Sequence, residues 1–190
     1  MISYTSYFLG IPLPQIYLKE FSQLLNEINT IDSSIETVHP QTPHVTIYYL
    51  NKQSQYALEE INSAIKPISD ILNKAILPIG GFDYLTKDSP KVLFLDVKYS
   101  KALIDYRNKV SEVLGKYSAS DNNLPFHPHM TVGRIKSIQG QKNFNKNRNE
   151  ILARLEKIHW EFQINEIILY GVDSTKLPEH QEKLLIIPVK

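Results

Sequence analysis

Two short segments of this chain repeat the pattern Pro-His-x-Thr, and each continues into strand-forming residues. The first is PHVTIYYL at residues 43–50, and the second is PHMTVGRI at residues 128–135. Their histidines, His44 and His129, lie 85 positions apart (129 − 44). Runs rich in β-branched and aromatic residues favour strands. The sequence therefore predicts two similar strands, each carrying a histidine and a threonine.

Alternation along these strands predicts where the polar side chains point. Positions i and i+2 of a strand share a face. The intervening positions, Val45, Ile47 and Tyr49 in the first strand and Met130 and Val132 in the second, are apolar. We therefore expect the face formed by these apolar positions to pack against helices. We expect the two polar faces to line one shared space between the two halves of the chain. These faces comprise His44, Thr46 and Tyr48 in the first strand and His129, Thr131 and Gly133 in the second.

Two imidazoles and two hydroxyls around one space suit a displacement at phosphorus. Histidine is the side chain best matched to proton transfer near pH 7, and the reaction needs one proton taken and one given. Threonine hydroxyls can donate hydrogen bonds to the phosphate oxygens, and the scheme requires no metal or other cofactor.

Arg134 and Lys136 follow the second motif and add cationic groups that suit phosphate. Regular alternation points Arg134 away from His129. We therefore expect Arg134 to reach the cleft only if the strand twists or bulges, for which Gly133 is a plausible place.

Composition narrows the classes of protein that fit. A length of 190 residues suffices for one well-buried domain or two small lobes that share a core. A net charge of +1 suits a ligand with few phosphates better than a long duplex. The absence of cysteine excludes disulfides and thiolate nucleophiles. We expect neither a signal peptide nor a membrane span, and we expect a cytoplasmic setting. Because no heptad pattern is present, we expect a monomer.

Hydrophobic periodicity predicts alternating helices and strands. Predicted helices cover residues 15–29, a segment from Ser54 with a break at Pro67, a segment from Ser100 to about Gly115, and a segment after residue 150. Predicted strands cover 7–13, 44–50, 74–85 with an ending Gly-Gly turn, 91–99, the second motif, 160–172 and 182–190. The asparagine-rich segment 139–150 is predicted to begin as a mobile loop. The repeated order of elements predicts one domain, residues 1–190, of two similar lobes that each contribute one motif strand.

The segments PHVTIYYL and FHPHMTVGRIK resemble the paired His-x-Thr-x signatures of the two-histidine (2H) phosphoesterase superfamily. They resemble most closely its RNA 2',3'-cyclic phosphodiesterases, also called 2'-5' RNA ligases, and the likeness extends to YFLGIPLP, KVLFLDV and the closing INEIILYGVDS…EKLLIIPV. The resemblance implies a bilobal α+β fold with two antiparallel-rich sheets facing a central cleft and helices outside. It also implies metal-independent opening of a 2',3'-cyclic phosphate to a 2'-phosphate, and 2'-5' ligation as the reverse reaction.

The resemblance implies roles for individual residues through their motif positions. His44 and Thr46 match the first signature, and His129 and Thr131 match the second. By analogy, His129 is the base that activates water and His44 is the acid that protonates the departing 3'-oxygen. Arg134 matches an arginine that often follows the second signature.

Two positions depart from the family pattern and bear on the substrate. Many relatives have Lys where Tyr48 stands, and Lys or Arg where His127 stands, so the cleft mouth carries less positive charge and long RNA is disfavoured. We expect Tyr48 and His127 to contact substrate, with Tyr48 suited to stacking on a base and His127 at the cleft rim. His127 and His129 also form a His-x-His pair that could hold a metal, although no carboxylate is near in sequence.

Three functions are open from the sequence. The chain can act on the cyclic phosphate of an RNA 3' end or a nucleoside. It can apply the same chemistry to ADP-ribose cyclic phosphate, a 2'-5' oligoadenylate or a cyclic dinucleotide. It can also be a non-catalytic binder of RNA or nucleotides, although binding alone does not require two proton-transfer groups.

Overall fold

Four α-helices and nine strands are present in the part of the chain that the computed structural model describes, which is residues 4–85, 91–173, 175 and 180–190. The helices are α1 (Gln15–Ile31), α2 (Gln55–Ile65), α3 (Lys101–Leu114) and α4 (Ile138–Leu155). The strands are β1 (Ser6–Pro12), β2 (Glu36–Thr37), β3 (His44–Leu50), β4 (Ile76–Leu85), β5 (Val92–Val97), β6 (His129–Arg134), β7 (His159–Gln163), β8 (Glu166–Asp173) and β9 (His180–Pro188). The sequence also predicts a loop that contains Pro178 between the last two strands, and Pro178 lies outside the described residues.

The strands pair in the order β7-β4-β5-β6-β3-β1-β8-β9, and β2 pairs beside β6. All of these pairings are antiparallel. The motif strands β3 and β6 are the two central strands. We call β3, β1, β8 and β9 the His44 half, and β6, β5, β4 and β7 the His129 half. The predicted α+β fold with antiparallel sheets is confirmed, and the two sheets are joined into one through the pairing of β3 with β6.

One hydrophobic core extends beneath both halves of the sheet. It joins the apolar side of the motif strands to the inner faces of the helices, as the alternation predicts. Its members include Val45, Ile47, Met130 and Val132 from the sheet, and Phe21, Ile61, Leu103 and Phe144 from the helices. The motif histidines and threonines are only partly buried, on the face away from this core.

Serine side chains fix where three helices begin. Ser54, Ser100 and Ser137 each accept a hydrogen bond from the backbone N–H three residues later. This contact satisfies a donor that the first turn of a helix leaves without a partner. The helix predicted to follow Ser100 is confirmed, and the break at Pro67 is a turn of 3-10 helix over Lys66–Leu72.

The prediction of a mobile loop over residues 139–150 is wrong, because α4 covers the whole segment. Ser137 caps this helix, and Gly140, Phe144, Ile151 and Leu155 are buried at helical spacing. The asparagines, lysines and glutamines that suggested a loop are exposed or half-buried on the other sides of the helix, and Asn147 donates to the carbonyl of Ile31 on α1. Packing of one sparse apolar face therefore outweighs the weak helix propensity of asparagine.

Two strand boundaries also differ from the sequence prediction. The Gly80–Gly81 pair does not end a strand but forms an irregularity within β4, where the register with β5 shifts. Gly81 has a φ of +81°, which glycine adopts without steric cost. The segment 160–172, predicted as one strand, is divided between β7 and β8.

Truncation of Phe144 tests the helical assignment of α4. The Phe144 side chain is fully buried and contacts the Tyr84 ring edge-on, with centroids 6.0 Å apart. We expect Phe144→Ala to lower the free energy of unfolding by about 3–5 kcal/mol, measured by denaturant unfolding. The control Lys146→Ala, on the exposed side of the same helix, should change it by no more than about 0.5 kcal/mol. A Phe144→Ala protein as stable as this control would contradict the packing of α4.

Candidate active site

The pairing of β3 with β6 sets the relative positions of the motif side chains. Val45 pairs with Met130, and one step outward in each direction places His44 beside Thr131 and Thr46 beside His129. Directly opposite side chains of an antiparallel pair have Cβ atoms about 4.5–5.5 Å apart, and diagonal neighbours about 7–8 Å. The two imidazoles are therefore diagonal neighbours on one face, and each has the other motif's threonine beside it.

Each motif strand contains a one-residue irregularity at the same place. The register of β1 with β3 shifts at Leu9 and Gly10, which leaves Ile47 as an extra residue. The register of β5 with β6 shifts at Leu93 and Phe94, which leaves Val132 as an extra residue. Ile47 and Val132 are again 85 positions apart (132 − 47). A bulge of this kind reverses the alternation of the residues that follow it.

The bulge at Val132 turns Arg134 to the same face as Thr131. Arg134 lines the cleft together with His44 and Thr131, so the condition stated from the sequence is met. The irregularity lies one residue before Gly133. A Cβ on Gly133 would lie 2.7 Å from a methyl carbon of Ile35, so this glycine allows β2 to pack closely beside β6.

The bulge at Ile47 corrects the prediction for Tyr48. Tyr48 is 1% exposed and belongs to the core, where the Arg107 guanidinium lies 4.5 Å from its ring centroid. The prediction that Tyr48 shares the face of His44 is therefore wrong. Tyr49, which alternation had placed on the apolar side, is 38% exposed and lines the cleft. The signal that could have found it is its spacing, because Tyr49 lies 85 positions before Arg134.

Both motif histidines are held by the same backbone contact. The Nδ1 atom of His44 lies 2.8 Å from the carbonyl oxygen of Thr42, and that of His129 lies 2.7 Å from the carbonyl oxygen of His127. A carbonyl oxygen only accepts, so Nδ1 carries the proton and donates it in each ring. The Nε2 atom of each ring is then the position that can gain or lose a proton.

His44 lies in an aromatic environment. Its ring stacks on Phe8 with centroids 4.5 Å apart, and the Tyr170 ring lies 5.1 Å away. Burial of the imidazole lowers the pKa of His44 to about 4, and the positive charges of His129 and Arg134 add to this effect. His44 is therefore a neutral imidazole near pH 7 in the free protein.

His129 lies beside a carboxylate that sequence reasoning missed. Asp96 on β5 is its cross-strand neighbour, and the Phe94 ring lies 4.8 Å away. Burial lowers the pKa of His129, and His127 and Arg134 add to this, whereas Asp96 acts in the opposite direction. Because Asp96 is 33 positions earlier in the chain (129 − 96), no local sequence pattern predicts its contact with His129.

His127 lies at the exposed edge of this cluster and pairs with Asp96. Its Nε2 is 3.2 Å from the Oδ1 of Asp96, and its side chain is 41% exposed. Its ring lies 6.1 Å from that of His129. Asp96 therefore lies near the His-x-His pair in space, although no carboxylate is near the pair in sequence. Within the described ranges, no group of three or more histidine and acidic side chains is arranged to hold a metal ion.

A cavity opens between the motif strands and β2. Its enclosed volume is about 120 Å³, below the roughly 300–1,000 Å³ of typical ligand pockets. A space of this size fits a group about as large as a phosphate. Its lining residues are Phe8, Glu36, Thr37, Val38, His39, Thr42, Pro43, His44, Thr46, Tyr49, Thr131, Arg134, Lys136, Val172 and Gln181. His129, His127 and Tyr48 are not among them.

The charges around the cavity are concentrated at the β2 end. Arg134 and Lys136 lie there, and the Nζ atom of Lys136 is 2.5 Å from an oxygen of Glu36. Glu36 therefore offsets the charge of Lys136 at the mouth. Lys136, one of the two cationic residues that follow the second motif, thus lies in the cavity wall.

Comparison with known proteins identifies the family. Residues 22–176 match the model of the 2'-5' RNA ligase superfamily. The chain belongs to the 2'-5' RNA ligase superfamily. This membership confirms the resemblance that the two His-x-Thr signatures indicate.

Two curated relatives of this superfamily member are named RNA 2',3'-cyclic phosphodiesterase. The protein from Geobacillus stearothermophilus is 26% identical over 178 residues, which is 92% of this chain and 54% of that protein. The chain thus spans about half the length of that relative. The protein from Archaeoglobus fulgidus is 24% identical over 130 residues, which is 68% of this chain and 72% of that protein.

A solved structure has the same architecture. The crystal structure of the protein TT0787 from Thermus thermophilus matches with a TM-score of 0.75 at 14% sequence identity, over 97% of both chains. At this identity the likeness concerns the fold alone.

None of the helices in the described ranges is long and apolar enough to cross a membrane.

Histidine titration tests the two different environments. We expect the NMR signals of His44 to titrate near pH 4, and Asp96→Asn to lower the pKa of His129 because it removes the charge that favours the imidazolium. The His44 titration should change less. The control is Asp105→Asn, which removes an exposed carboxylate on α3 that pairs with Lys101. An unchanged His129 titration in Asp96→Asn would contradict the electrostatic contact.

Proposed function

We propose that this protein is a metal-independent phosphodiesterase that opens a 2',3'-cyclic phosphate, on an RNA 3' end or a nucleoside, to a 2'-phosphate. The observation that carries the proposal is the matched pair of imidazoles on one face. Each has its Nδ1 tied to a backbone carbonyl and its Nε2 left for proton transfer. The names of the two curated relatives support the same reaction class.

In the proposed reaction, His44 and His129 exchange protons with the two oxygens that change partners at phosphorus. A water oxygen forms a bond to phosphorus while the bond from phosphorus to the 3'-oxygen breaks. One imidazole takes a proton from the water, and the other gives a proton to the 3'-oxygen. The ring that began neutral ends protonated and the other ends neutral, so the first ring must release a proton and the second must regain one before the next turnover. A 5'-hydroxyl in place of water would give a 2'-5' linkage by the same steps.

Thr46, Thr131 and Arg134 have the proposed role of holding the phosphate. Each threonine is the cross-strand neighbour of one imidazole, so its hydroxyl lies beside the space where phosphorus would bind. Donors placed around developing negative charge stabilise the transition state. Arg134 reaches the same face through the bulge and adds a forked cationic donor.

The charge distribution favours a small or terminal substrate over a long RNA strand. The net charge is +1, and Glu36 offsets Lys136 at the mouth. A strand held through many phosphates requires many uncompensated cations. The same features are compatible with two other candidate functions. One is an enzyme for another nucleotide, such as ADP-ribose cyclic phosphate, a 2'-5' oligoadenylate or a cyclic dinucleotide. The other is a binder without turnover.

Substitution of either motif histidine tests the proposed chemistry. We expect His44→Ala and His129→Ala each to lower kcat for a nucleoside 2',3'-cyclic phosphate by at least about 10³-fold, because each removes one proton transfer. The assay contains EDTA and identifies the product as a 2'- or 3'-phosphate. The control His159→Ala changes an exposed histidine on β7 and should retain activity. Full activity in either motif variant would refute the proposal.

A panel of substrates separates the candidate functions. It comprises nucleoside 2',3'-cyclic phosphates, short RNAs with cyclic phosphate ends, ADP-ribose cyclic phosphate, 2'-5' oligoadenylate and cyclic dinucleotides. The proposed function requires the largest kcat/KM on the first two classes. Micromolar binding without turnover of any compound would favour the non-catalytic binder.

The pH dependence of kcat/KM follows from the pKa values of the free histidine pair. Productive enzyme carries one proton on the pair. Because the pKa of His44 is about 4 and that of His129 is also lowered, both rings become neutral as the pH rises above about 6.5, the usual histidine pKa. We expect the optimum of kcat/KM below that pH, with a decrease approaching tenfold per pH unit on the alkaline side. A bound phosphate anion raises both pKa values, so the optimum of kcat should lie at higher pH. An optimum of kcat/KM above about pH 8 would contradict these shifts.

A further inference from the structure

A second concave surface, which we call the α3 groove, lies between α3 and the segment that precedes β6. Its volume is about 530 Å³, within the roughly 300–1,000 Å³ of typical ligand pockets. None of its wall residues belongs to the cavity of the candidate active site. The wall consists of Arg107, Asn108, Ser111 and Glu112 from α3 and Asn122, Leu124 and Phe126 from the segment before β6.

Arg107 is the buried charged residue of this wall. It is only 8% exposed, and arginine is rarely buried to this extent unless a partner offsets its charge. In the described part of the chain no carboxylate pairs with it, and burial lowers the pKa of its guanidinium. Arginine nevertheless stays charged in proteins. A positive charge without an acidic partner therefore lies in the wall of the α3 groove.

Two aromatic rings hold the Arg107 guanidinium in place. Its central carbon lies 4.5 Å from the ring centroid of Tyr48 and 5.6 Å from that of Phe126. Such cation–π contacts account for part of the burial. They do not use the N–H donors, which lie in the plane of the guanidinium. The rings therefore fix the arginine without satisfying its N–H groups.

Most of the Arg107 donors remain available to a ligand. Nη2 donates to the carbonyl and to the Oδ1 of Asn122 at 3.4 Å each, longer than the usual value of about 2.9–3.0 Å. Among the described residues, Nε and Nη1 have no acceptor, and neither atom is fully enclosed. The second N–H of Nη2 forms a forked pair with either of these atoms. Such a pair binds two oxygens of a phosphate or a carboxylate.

Uncharged donors extend this cationic site along the helix. Ser111 lies one turn after Arg107, and Asn108 is adjacent to Arg107, so the three side chains share one side of α3. The acidic residue of the wall is Glu112, but the Nζ atom of Lys109 lies 2.8 Å from both of its oxygens. Lys109 thus offsets the charge of Glu112, and the charge of Arg107 remains.

We propose that Arg107, Asn108 and Ser111 form a second anion site, which binds the phosphate group of a small phosphorylated molecule. Arg107 binds two phosphate oxygens, and the Ser111 hydroxyl and the Asn108 amide donate to the others. Four donors from three side chains suit the four oxygens of a phosphate group better than the two of a carboxylate. Leu124, which is 68% exposed, provides an apolar surface for the organic part of the ligand. The site goes beyond the proposed function and does not depend on it.

An NMR titration with inorganic phosphate tests the site in the wild-type protein. The Arg107 Nε–H and the Asn122 side-chain amide report on the α3 groove, and the imidazole signals of His44 and His129 report on the cleft. We expect the groove signals to shift saturably, with a Kd of about 10 mM or tighter that differs from the Kd of the cleft. An Arg107 signal that does not shift, or shifts without saturation, would overturn the proposal and leave the arginine a structural role.

Removal of the guanidinium tests its contribution. We expect Arg107→Met, which keeps an apolar stem against Tyr48, to weaken phosphate binding at the Asn122 signal by at least about tenfold, because it removes charge-assisted hydrogen bonds. Arg107→Lys keeps the charge without the fork and should lose less. The matched control is Arg148→Met, because Arg148 also lies over an aromatic ring, 5.0 Å from the centroid of Tyr84. Unchanged binding in Arg107→Met, or an equal loss in Arg148→Met, would overturn the proposal.

A substitution at an exposed position keeps the test valid if Arg107→Met does not fold. Ser111→Asp places a carboxylate one turn from Arg107, where it competes with the ligand for the guanidinium. We expect it to weaken phosphate binding in the groove by at least about tenfold. The control Asn149→Asp adds the same charge at an exposed position of α4 and should leave the affinity unchanged. Equal affinities of Ser111→Asp and this control would overturn the proposal.

Comparison of three probes identifies the chemical class of the ligand. The probes are inorganic phosphate, adenosine 5'-monophosphate and acetate, each followed at the Arg107 and Asn122 signals. Tighter binding of the nucleotide than of phosphate assigns the organic part to a nucleoside, and equal binding assigns the site to the phosphate group alone. Both results support the site. Acetate that binds as tightly as phosphate would overturn the assignment to phosphate.

Discussion

The pairing of Val45 with Met130 is the contact on which the geometry of the site depends. Because β3 and β6 run side by side there, the polar faces of both motif strands meet at the centre of the sheet. Each histidine then has a threonine of the other motif as its neighbour. A shift of the strand register by one residue would turn the polar side chains toward the helices. The apolar core beneath Val45 and Met130 opposes such a shift.

The backbone of the site is nearly symmetric, whereas its side chains are not. Both strands bulge at equivalent positions, and both histidines are tied to the carbonyl two residues earlier. The same backbone position then carries Tyr49 in one strand and Arg134 in the other. Aromatic rings surround His44, and a carboxylate lies beside His129. Different environments for two like groups are what allow them to act as distinct acid and base, which is the basis of the proposed function.

Several features were predictable from the sequence because their causes are local. The motif strands follow from β-branched runs, and the starts of α2 and α3 follow from the capping serines Ser54 and Ser100. The two histidines and two threonines share a face because no irregularity separates them within a strand. Asp96 was not predictable, because it reaches His129 only through the pairing of β5 with β6. The first part of α4, residues 138–150, was missed because its apolar positions are sparse and most of its residues are polar.

The sequence by itself determined that two histidines and two threonines lie on two similar strands and share a face, because spacing along a strand decides which side chains point to the same side. Only the tertiary structure decided that Tyr49, and not Tyr48, lines the cleft. One extra residue in β3 reverses the alternation, and such a bulge depends on the register with the neighbouring strand β1. The recruitment of Arg134 has the same cause in β6. The difference between the two histidine environments likewise arises from strands distant in sequence, so no local pattern contains it.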